Sequence, residues 1–300
     1  MHMEPIHRAV LVEETIDALA LQRGMRVCDG TVGAGGHASL IVERIMPSGC
    51  FTGIDRDEYM VEYTRQRLSR IYPQHQDGVS IIRASYADIV RIAGEAQGCG
   101  QYDRVLIDLG FSSWHIDASG KGFSFQKNEP LDMRYDTTQE QTAAQIVNSS
   151  SEAQLADLIW GMGEDRNARR IARGIVEARR KERIMTTERL ARVIADTVPR
   201  RGRLHPATKT FQALRIAVND ELGELASFLE SVRAVIAPEG RVAVISFHSL
   251  EDRMVKNAFR LWEKEGAHRV HKKPVIASRK EQKENPRSRS AKLRVIEIRR

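Results

Sequence analysis

The sequence has little of what marks secreted, membrane-bound or disulfide-stabilised proteins. Its three cysteines, Cys28, Cys50 and Cys99, favour neither a disulfide framework nor a metal site, because their number is odd and their spacing fits no ligand motif. No apolar run approaches the ~18 residues of a membrane helix. Acids near the start, such as Glu4 and Glu13, argue against a signal peptide. We therefore expect a reduced, cytoplasmic setting without a membrane.

Charge is unevenly distributed along the chain. The net charge is +7, but residues 161–215 and residues 269–300 each carry a net +9, which leaves −11 for the remainder. An acidic body with two basic regions is typical of a protein that meets a polyanion such as RNA. Each basic region alone could also be a solvated helix face. Aromatic residues are scarce, at 6%, whereas 41% apolar residues are enough for a folded core.

The most informative stretch is a short apolar run that ends at Asp29 and leads into a glycine-rich turn, Gly33–Gly36. A strand, a tight turn and a helix in this order form the nucleotide-binding unit of doubly wound sheets. Asp55 ends the next apolar run, where an acid can accept the hydroxyl groups of a ribose. The pattern predicts a nucleoside cofactor, although a simple turn and a helix cap remain the alternative.

Strand and helix patterns alternate in the first third of the chain and predict a parallel sheet with right-handed crossovers. The predicted strands are residues 25–28, 50–54, 79–82, 102–108, 240–246 and 293–298. The long interval between the fourth and fifth strands shows no strand pattern. One of its helical patterns begins at Ser151, with Gln154 placed for a capping box, and another extends over residues 208–235. We therefore predict a core of residues 1–111 and 218–300, with a helical domain of residues 112–217 inserted into it.

Ligands of parallel sheets lie beyond the carboxyl ends of the strands. This rule brings the glycine turn together with Asp29, Asp55, Tyr86 and Asp108. The acids suit a cationic methyl donor, S-adenosylmethionine, and would repel a pyrophosphate. The absence of Lys and Arg near the glycine turn in the sequence also favours the methyl donor. A dinucleotide-dependent oxidoreductase remains the alternative, because Gly33-x-Gly35-x-x-Ala38 also fits that fingerprint.

Asp108-Leu109-Gly110-Phe111 occupies the place where amino-group methyltransferases carry Asp/Asn-Pro-Pro-Phe/Tyr. The lone pair of an exocyclic amine is delocalised into the base, so an acceptor must orient the amine and help to remove its proton. Asp108 is our catalytic candidate, and Phe111 or Trp114 could stack on an extruded base. Because Leu-Gly replaces Pro-Pro, a helix cap for Asp108 and a core position for Phe111 stay open. We expect no metal ion.

These residues and several long blocks resemble the MraW (RsmH) family, the cytosine-N4 methyltransferases of bacterial small-subunit ribosomal RNA. The matching blocks are residues 29–37, 108–113, 122–125, 130–134, 163–166, 205–208, 210–219, 245–253 and 285–294. They follow the family order and extend over nearly the whole chain. Blocks of this length are far more specific than a single glycine motif.

The resemblance implies an α/β fold, namely a Rossmann-like S-adenosylmethionine-dependent methyltransferase sheet with an inserted helical domain that recognises the substrate. It implies a cytidine in the decoding region of small-subunit (16S) rRNA as acceptor, in RNA or in an assembled subunit. By position, the residues that would line the donor pocket are Gly35, Gly36, His37, Asp55, Tyr86, Asp108 and His115. The family usually has glutamine at the position of His115.

Other residues are candidates on the substrate side. They are Phe111, Trp114, Arg134, Arg215, Asn219 and His248. Hydrogen bonds between domains are the alternative for Arg134, Arg215 and Asn219, and a structural pair with Asp252 is the alternative for His248. The basic segment 167–182 is expected to face the RNA backbone, and residues 285–293 could bind phosphates or simply pack. A non-catalytic ribosome-assembly factor on the same fold also remains possible.

Overall fold

A computed structural model describes residues 9–95, 100–110, 114, 116, 119–200 and 204–299. Within these ranges the helices are α1 Val12–Leu19, α2 Gly36–Ile45, α3 Glu58–Ile71, α4 Ile89–Glu95, α5 Ala143–Ser149, α6 Glu152–Gly163, α7 Ala168–Lys181, α8 Thr187–Thr197, α9 Thr208–Asn219, α10 Glu221–Ser231, α11 Ser249–Lys264 and α12 Arg279–Glu284. None of the described helices combines the length and the apolar character that crossing a membrane requires.

The strands form one sheet. They are β1 Arg26–Asp29, β2 Cys50–Asp55, β3 Val79–Arg83, β4 Tyr102–Asp108, β5 Ile236–Ser246, β6 His268–Arg269, β7 Val275–Ile276 and β8 Lys292–Ile298. Their order is β3-β2-β1-β4-β5-β8-β6, with β7 also paired to β8. Strands β1 to β5 are parallel, and β8 runs antiparallel to β5. This arrangement confirms the predicted α/β class with a mostly parallel, Rossmann-like sheet.

Apolar side chains cover both faces of the sheet, as the continuous apolar runs of its central strands require. Neighbouring residues of β4 show the alternation, because Leu106 packs on one face with Ile41 and Ile107 packs on the other with Phe228. Helices on the two faces bury the strands, while the strand ends stay available for polar residues. The site described below therefore lies at an edge of the sheet.

The chain forms two compact units. The first, called here the sheet unit, consists of Met1–Ser112 and Leu222–Arg300, and the second, called the helical unit, of Ser113–Glu221. The helical unit has its own apolar core, in which Leu155, Ile171 and Ile194 are fully buried. The domain boundaries taken from the sequence stay a prediction, because compactness does not show that either unit folds by itself.

The helical regions differ from the sequence analysis in two places. The pattern predicted as helical over residues 208–235 is divided, because Asp220 adopts a left-handed conformation (φ +49°) where α9 ends. Helix α5 was not predicted, although Thr142 and Gln145 form a capping box at its start. The capping box predicted for Ser151 and Gln154 is present at the start of α6.

The expectation of reduced cysteines holds for one residue and is wrong for another. Cys28 is a free thiol buried in β1, whereas Cys50, at the start of β2, takes part in a disulfide. An odd number of cysteines could not reveal this, because disulfide pairing depends on the distance between side chains in the fold.

Candidate active site

Three acids lie side by side at the carboxyl edge of the sheet. Asp29, Asp55 and Asp108 are the last residues of β1, β2 and β4, and β1 lies between the other two strands. The glycine turn Gly33–Gly36 follows β1 at the same edge. The structure thus brings together the residues that the sequence analysis placed in one crevice.

The glycine turn adopts a backbone conformation that other residues rarely take. Gly33 has φ +48° and Gly35 has φ +76°, both in the left-handed region that glycine enters without strain. A Cβ on Gly36 would lie 2.7 Å from the Cβ of Ala9, so residues 9–11, called here the lead-in segment, pack directly on the turn. These contacts hold the first N–H groups of α2 at the edge of the sheet.

A basic side chain does reach the turn in the fold. No Lys or Arg stands near the glycine residues in the sequence, but Arg67 of α3 donates a hydrogen bond from Nη1 to the carbonyl oxygen of Ala34 at 2.7 Å. Arg67 is far away in the sequence and reaches the turn only because α3 packs beside it. The guanidinium binds a carbonyl group here, so it supports the turn from within the protein.

Asp55 fixes the turn through backbone hydrogen bonds. Its Oδ2 accepts the N–H of Gly33 and its Oδ1 accepts the N–H of Asp57, each at 2.9 Å. Through these two bonds Asp55 connects the end of β2 to the glycine turn and to the start of α3.

Asp29 is buried at the end of β1, with 1% of its surface exposed. Burial raises the pKa of Asp29 to about 7, and the negative charge of Asp55 raises it as well. The hydrogen bond that Asp29 Oδ1 accepts from the N–H of Thr31 at 3.1 Å lowers the pKa, but burial outweighs it. The carboxyl group therefore changes its charge near neutral pH.

Asp108 carries the least satisfied carboxyl group of the three. Within the described part of the chain, its buried Oδ1 has no hydrogen-bond partner, although its backbone N–H donates to Thr31 Oγ1 at 2.6 Å. Burial raises the pKa of Asp108 well above its ordinary value, and the negative charges of Asp29 and Glu251 raise it further. A buried acceptor without a donor indicates a position for a ligand group.

His37, in the first turn of α2, lies next to Asp108. Its Nε2 is 3.1 Å from the carbonyl oxygen of Val10, and because a carbonyl can only accept, Nε2 carries the hydrogen. The unprotonated Nδ1 then faces Asp108 Oδ2 at 3.8 Å, which is longer than a hydrogen bond. Burial lowers the pKa of His37 to about 4, although the bond to Val10 opposes this. The imidazole is therefore neutral at pH 7.

Tyr86 lies just after β3, in a short 3₁₀ helix formed by Tyr86–Asp88. Its ring packs edge-on against Phe228 of α10, with ring centroids 5.7 Å apart and planes at 86°. A Cβ on Gly30 would lie 2.9 Å from the Cβ of Tyr86, so the tyrosine is close to the end of β1. The structure thus places this aromatic ring at the same edge as the acids.

The segment after β5 differs from the sequence analysis. Asp252 does not pair with His248; it accepts hydrogen bonds from Lys292 Nζ at 3.1 Å and from Arg294 Nε at 2.7 Å. His248 is the N-cap of α11, and its Nε2 lies 3.1 Å from Glu251 Oε1 without hydrogen-bond geometry. Asp252 therefore connects α11 to β8. His248 stays a candidate for contact with the substrate.

Sequence reasoning missed three residues that shape this edge. Glu251 is buried, with 2% exposed, and accepts the N–H of Phe247 at 2.8 Å. Thr31 accepts the N–H of Asp108, and the ring of Phe247 would lie 3.5 Å from a Cβ on Gly110. In the sequence Glu251 looks only like the third residue of a helix cap, and nothing there shows that it faces Asp108.

Two candidates of the helical unit have partners within it. Arg134 donates from Nε and Nη2 to the two oxygens of Asp132 at 2.7 and 2.8 Å. Arg215 donates from Nε and Nη2 to the two oxygens of Glu221, each at 2.8 Å, and both side chains are about 10% exposed. Bidentate pairs of this kind hold an arginine firmly in place.

Asn219 and Trp114 also belong to the helical unit. The amide of Asn219 donates to the carbonyl oxygens of Met133 and Arg215 at 2.8 and 2.9 Å and accepts the N–H of Tyr135 at 2.9 Å. Trp114 is partly buried, and Lys121 Nζ lies 5.9 Å from the centre of its ring. The candidates Phe111 and His115 lie outside the described residues.

Helix α7 presents cations to solvent. Its exposed basic residues are Arg169, Arg170, Arg173, Arg180 and Lys181. The other face of the helix is apolar, and Ile171 and Ile175 are buried in the core of the helical unit. This division gives the helical unit one strongly basic face, and contact of this face with the RNA backbone stays a prediction.

Comparison with known proteins adds a family to this geometry. The model of the MraW methylase family matches residues 4–299. A protein of Desulfotalea psychrophila named ribosomal RNA small subunit methyltransferase H is 45% identical over 300 residues, which cover 99% of each chain. A protein of the same name from Dictyoglomus thermophilum is 44% identical and covers 99% of this chain and 98% of its own.

Similarity to solved structures is weaker. An rRNA methylase from Streptococcus thermophilus covers 100% of this chain and 99% of its own, with 10% sequence identity and a TM-score of 0.46. The assignment to a family therefore depends on the sequence comparisons.

Proposed function

This chain belongs to the MraW methylase family, and from that premise we propose that it transfers a methyl group from S-adenosylmethionine to the N4 amine of a cytidine in the decoding region of small-subunit rRNA. Membership makes the chain a methyltransferase. Eight relatives, 42–45% identical over nearly their whole length, are named ribosomal RNA small subunit methyltransferase H, which supports small-subunit rRNA as the substrate. The N4 atom, the residue roles and a cytoplasmic setting are parts of the proposal.

The observation that carries the proposal is Asp108. Its Oδ1 is buried without a hydrogen-bond partner in the described part of the chain, and it lies at the end of β4, next to the strand that leads into the glycine turn. A donor group from a ligand would satisfy this oxygen. An exocyclic amine of a nucleobase is such a donor.

The carboxyl edge also fits the proposed methyl donor. Asp29, Asp108 and Glu251 are buried acids whose negative charges repel one another, so a cation bound beside them would be stabilised. We propose that Gly35 and Gly36 lie against the donor, that Asp55 accepts its ribose hydroxyls and that Tyr86 stacks on its adenine. A contact through His115 stays a prediction.

S-adenosylmethionine, when bound, supplies an electrophilic methyl group on a positively charged sulfur. The task of the protein is then to orient the amine, whose lone pair is otherwise delocalised into the base. Asp108 accepts one N–H of the amine, which fixes the direction of the nitrogen lone pair, and takes the proton that this nitrogen loses when its new bond to carbon forms. A cation beside Asp108 lowers its pKa, so the carboxyl group is ionised when it is needed.

His37 helps to position the carboxyl group of Asp108 in this proposal. With Nε2 held by the carbonyl oxygen of Val10, Nδ1 has no proton and presents a lone pair to Asp108 Oδ2. That neighbour offers Oδ2 no hydrogen-bond donor, and the imidazole occupies the space beside the carboxyl group. His37 is thus a positioning residue, and Oδ1 is the oxygen that faces the substrate.

A transfer experiment tests the function. Small ribosomal subunits and free small-subunit rRNA, both lacking the modification, are incubated with the protein and radiolabelled S-adenosylmethionine, and the labelled nucleoside is identified and mapped. We expect N4-methylcytidine at one position. Label on another atom would refute the assignment of N4, and binding of RNA without label would favour the assembly factor. Binding of NAD in preference to S-adenosylmethionine would favour the oxidoreductase.

A further inference from the structure

We propose that four exposed cations after β7 form a docking surface for the phosphates of the RNA backbone. They are Arg279, Lys280, Lys283 and Arg289, called here the C-terminal basic surface. The inference depends on the proposed RNA substrate. It adds that the sheet unit, which holds Asp108, also binds the RNA backbone next to the reacting nucleotide.

The register of the last strands places this surface at the carboxyl edge of the sheet. Strand β8 is antiparallel to β5, and its first residue, Lys292, pairs with Ser246, the last residue of β5. Strand β7 ends at Ile276, which also pairs with Lys292. Residues 277–291 therefore leave and re-enter the sheet at the edge where the parallel strands end, and this is the edge that carries Asp108.

A short series of contacts connects this segment to the candidate active site. Glu281 of α12 accepts the backbone N–H of Leu11 through Oε1 at 2.8 Å. The preceding residue, Val10, accepts the hydrogen bond from His37, which lies beside Asp108. Helix α12 is thus attached to the same lead-in segment that holds His37, and all of these residues belong to the sheet unit.

The segment is held firmly by the body of the protein. Ala277, Asn285, Ser288 and Ala291 are all less than 10% exposed, and Ser278 accepts the N–H of Glu281 at the start of α12. These contacts with the body of the protein order the backbone of the segment. A fixed backbone keeps the four cations at fixed spacings, which lowers the ordering cost of contacts with a phosphate chain.

The charge of the segment suits a polyanion. Residues 277–291 contain five Lys or Arg and two Glu. Glu281 is occupied by the backbone of Leu11, and within the described residues none of the four cations has a carboxylate partner. The nearby Lys292 and Arg294, in contrast, are paired with Asp252. Exposed cations without ion pairs gain most from phosphate contacts, because each contact releases counterions.

The test removes three charges and measures RNA binding as a function of salt. In K280Q/K283Q/R289Q we expect the affinity for an unmodified small-subunit rRNA transcript to fall about tenfold, and the slope of log K against log salt to decrease in magnitude by about 2. The KM for RNA should rise while kcat at saturating RNA and the Kd for S-adenosylmethionine stay unchanged. The charge-preserving variant K280R/K283R/R289K should bind RNA like the wild type.

A matched control removes three charges from the opposite edge of the same unit. Arg23 precedes β1, and Arg260 and Lys264 lie in the last turns of α11; all three are exposed. R23Q/R260Q/K264Q should bind RNA within about twofold of the wild type. The proposal is overturned if K280Q/K283Q/R289Q keeps the wild-type affinity and salt slope, or if the control variant weakens binding equally. Failure of the wild type itself to bind or methylate the RNA would instead reject the proposed function.

Discussion

Two buried charged groups, one in each unit, are satisfied to different degrees. In the helical unit, Arg215 and Glu221 satisfy each other through two hydrogen bonds of 2.8 Å. In the sheet unit, within the described residues, Asp108 Oδ1 is buried without a partner. A satisfied pair contributes to the structure it belongs to, whereas an unsatisfied buried oxygen costs free energy that a ligand or an ordered water can recover. The comparison therefore points to the sheet unit as the place of the chemistry.

The pKa values of the acids show the same contrast. Burial raises the pKa of Asp29 to about 7 and raises that of Asp108 well above its ordinary value. For Asp132 of the helical unit, partial burial also raises the pKa, but hydrogen bonds from Arg134 outweigh it and leave the pKa below its ordinary value. Perturbed acids without cationic partners are typical of functional sites.

The largest expected effect is that of Asp108→Asn. The amide cannot take a proton from the amine, so we expect kcat for methyl transfer to fall roughly 10²–10⁴-fold, with a much smaller change in the Kd for S-adenosylmethionine. Single-turnover transfer and equilibrium donor binding measure the two quantities. As a control, Glu297→Gln removes an acid paired with Arg241 at the other edge of the sheet and should leave kcat unchanged. Undiminished transfer by Asp108→Asn would refute the catalytic role.

The second prediction concerns the pH dependence of stability. Because the pKa of Asp29 is raised from 3.8 to about 7 in the folded chain, its ionisation opposes folding, and this penalty is absent below pH 4 and complete above pH 7. Asp29→Asn should therefore be as stable as the wild type near pH 4 and more stable above pH 7, by at most about 4 kcal/mol. Chemical denaturation at both pH values measures the difference.

The matched acid of the helical unit should behave oppositely. Asp132 has a lowered pKa, so its charged form stabilises the fold above its ordinary pKa, and this contribution is lost as the pH falls through the folded value. Asp132→Asn should therefore be less stable than the wild type at pH 7, with a difference that shrinks on acidification. If Asp29→Asn were also less stable at pH 8, the contrast between the units would not hold.

The third prediction separates structure from substrate binding at Arg215. Arg215→Met leaves Glu221 buried without its partner and should cost about 3 kcal/mol of unfolding free energy. The double variant R215M/E221L should recover part of this loss, because it removes both charges. Denaturation measures stability, and RNA binding is measured on the folded protein. A stable Arg215→Met variant with weak RNA binding would support the substrate role predicted from the sequence.

The smallest effect is expected at His37. Two substitutions separate its contact with the carbonyl oxygen of Val10 from its contact with Asp108. In His37→Gln, the longer amide can keep the bond to the carbonyl oxygen of Val10 but places nothing beside Asp108, so kcat should fall about tenfold with little loss of stability. His37→Asn keeps an amide near Asp108 but leaves that carbonyl unsatisfied, at a cost of about 1–3 kcal/mol. Transfer assays and denaturation measure the two effects. The reverse result, with His37→Gln fully active, would show that His37 only supports the lead-in segment.

Much of the sheet could be predicted from the sequence. Buried parallel strands need continuous apolar runs, and residues 105–107 and 242–245 show them. The family could be recognised as well, because its blocks extend over the whole chain. The assignment of Asp108, Asp55 and the other site residues to their roles stays a prediction, which the experiments above test.

Other features could not be read from the sequence because they depend on contacts between distant segments. Arg67 reaches the glycine turn from α3, and Glu251 faces Asp108 from the start of α11. Helix α5 was missed because it is only seven residues long, too short for a helical period to stand out in the sequence. The basic residues 279–289 were visible as a charged segment, but nothing in their spacing showed at which edge of the sheet they lie.

By itself, the sequence determined the order of the six predicted strands, the glycine turn and the acids that end β1, β2 and β4, because these follow from local patterns of apolar residues, glycine and charge. Only the tertiary structure decided which of these acids has a partner. Burial and pairing are set by residues far apart in the chain, such as Val10 with His37 and His37 with Asp108. The same long-range register of β8 places the C-terminal basic surface beside the site.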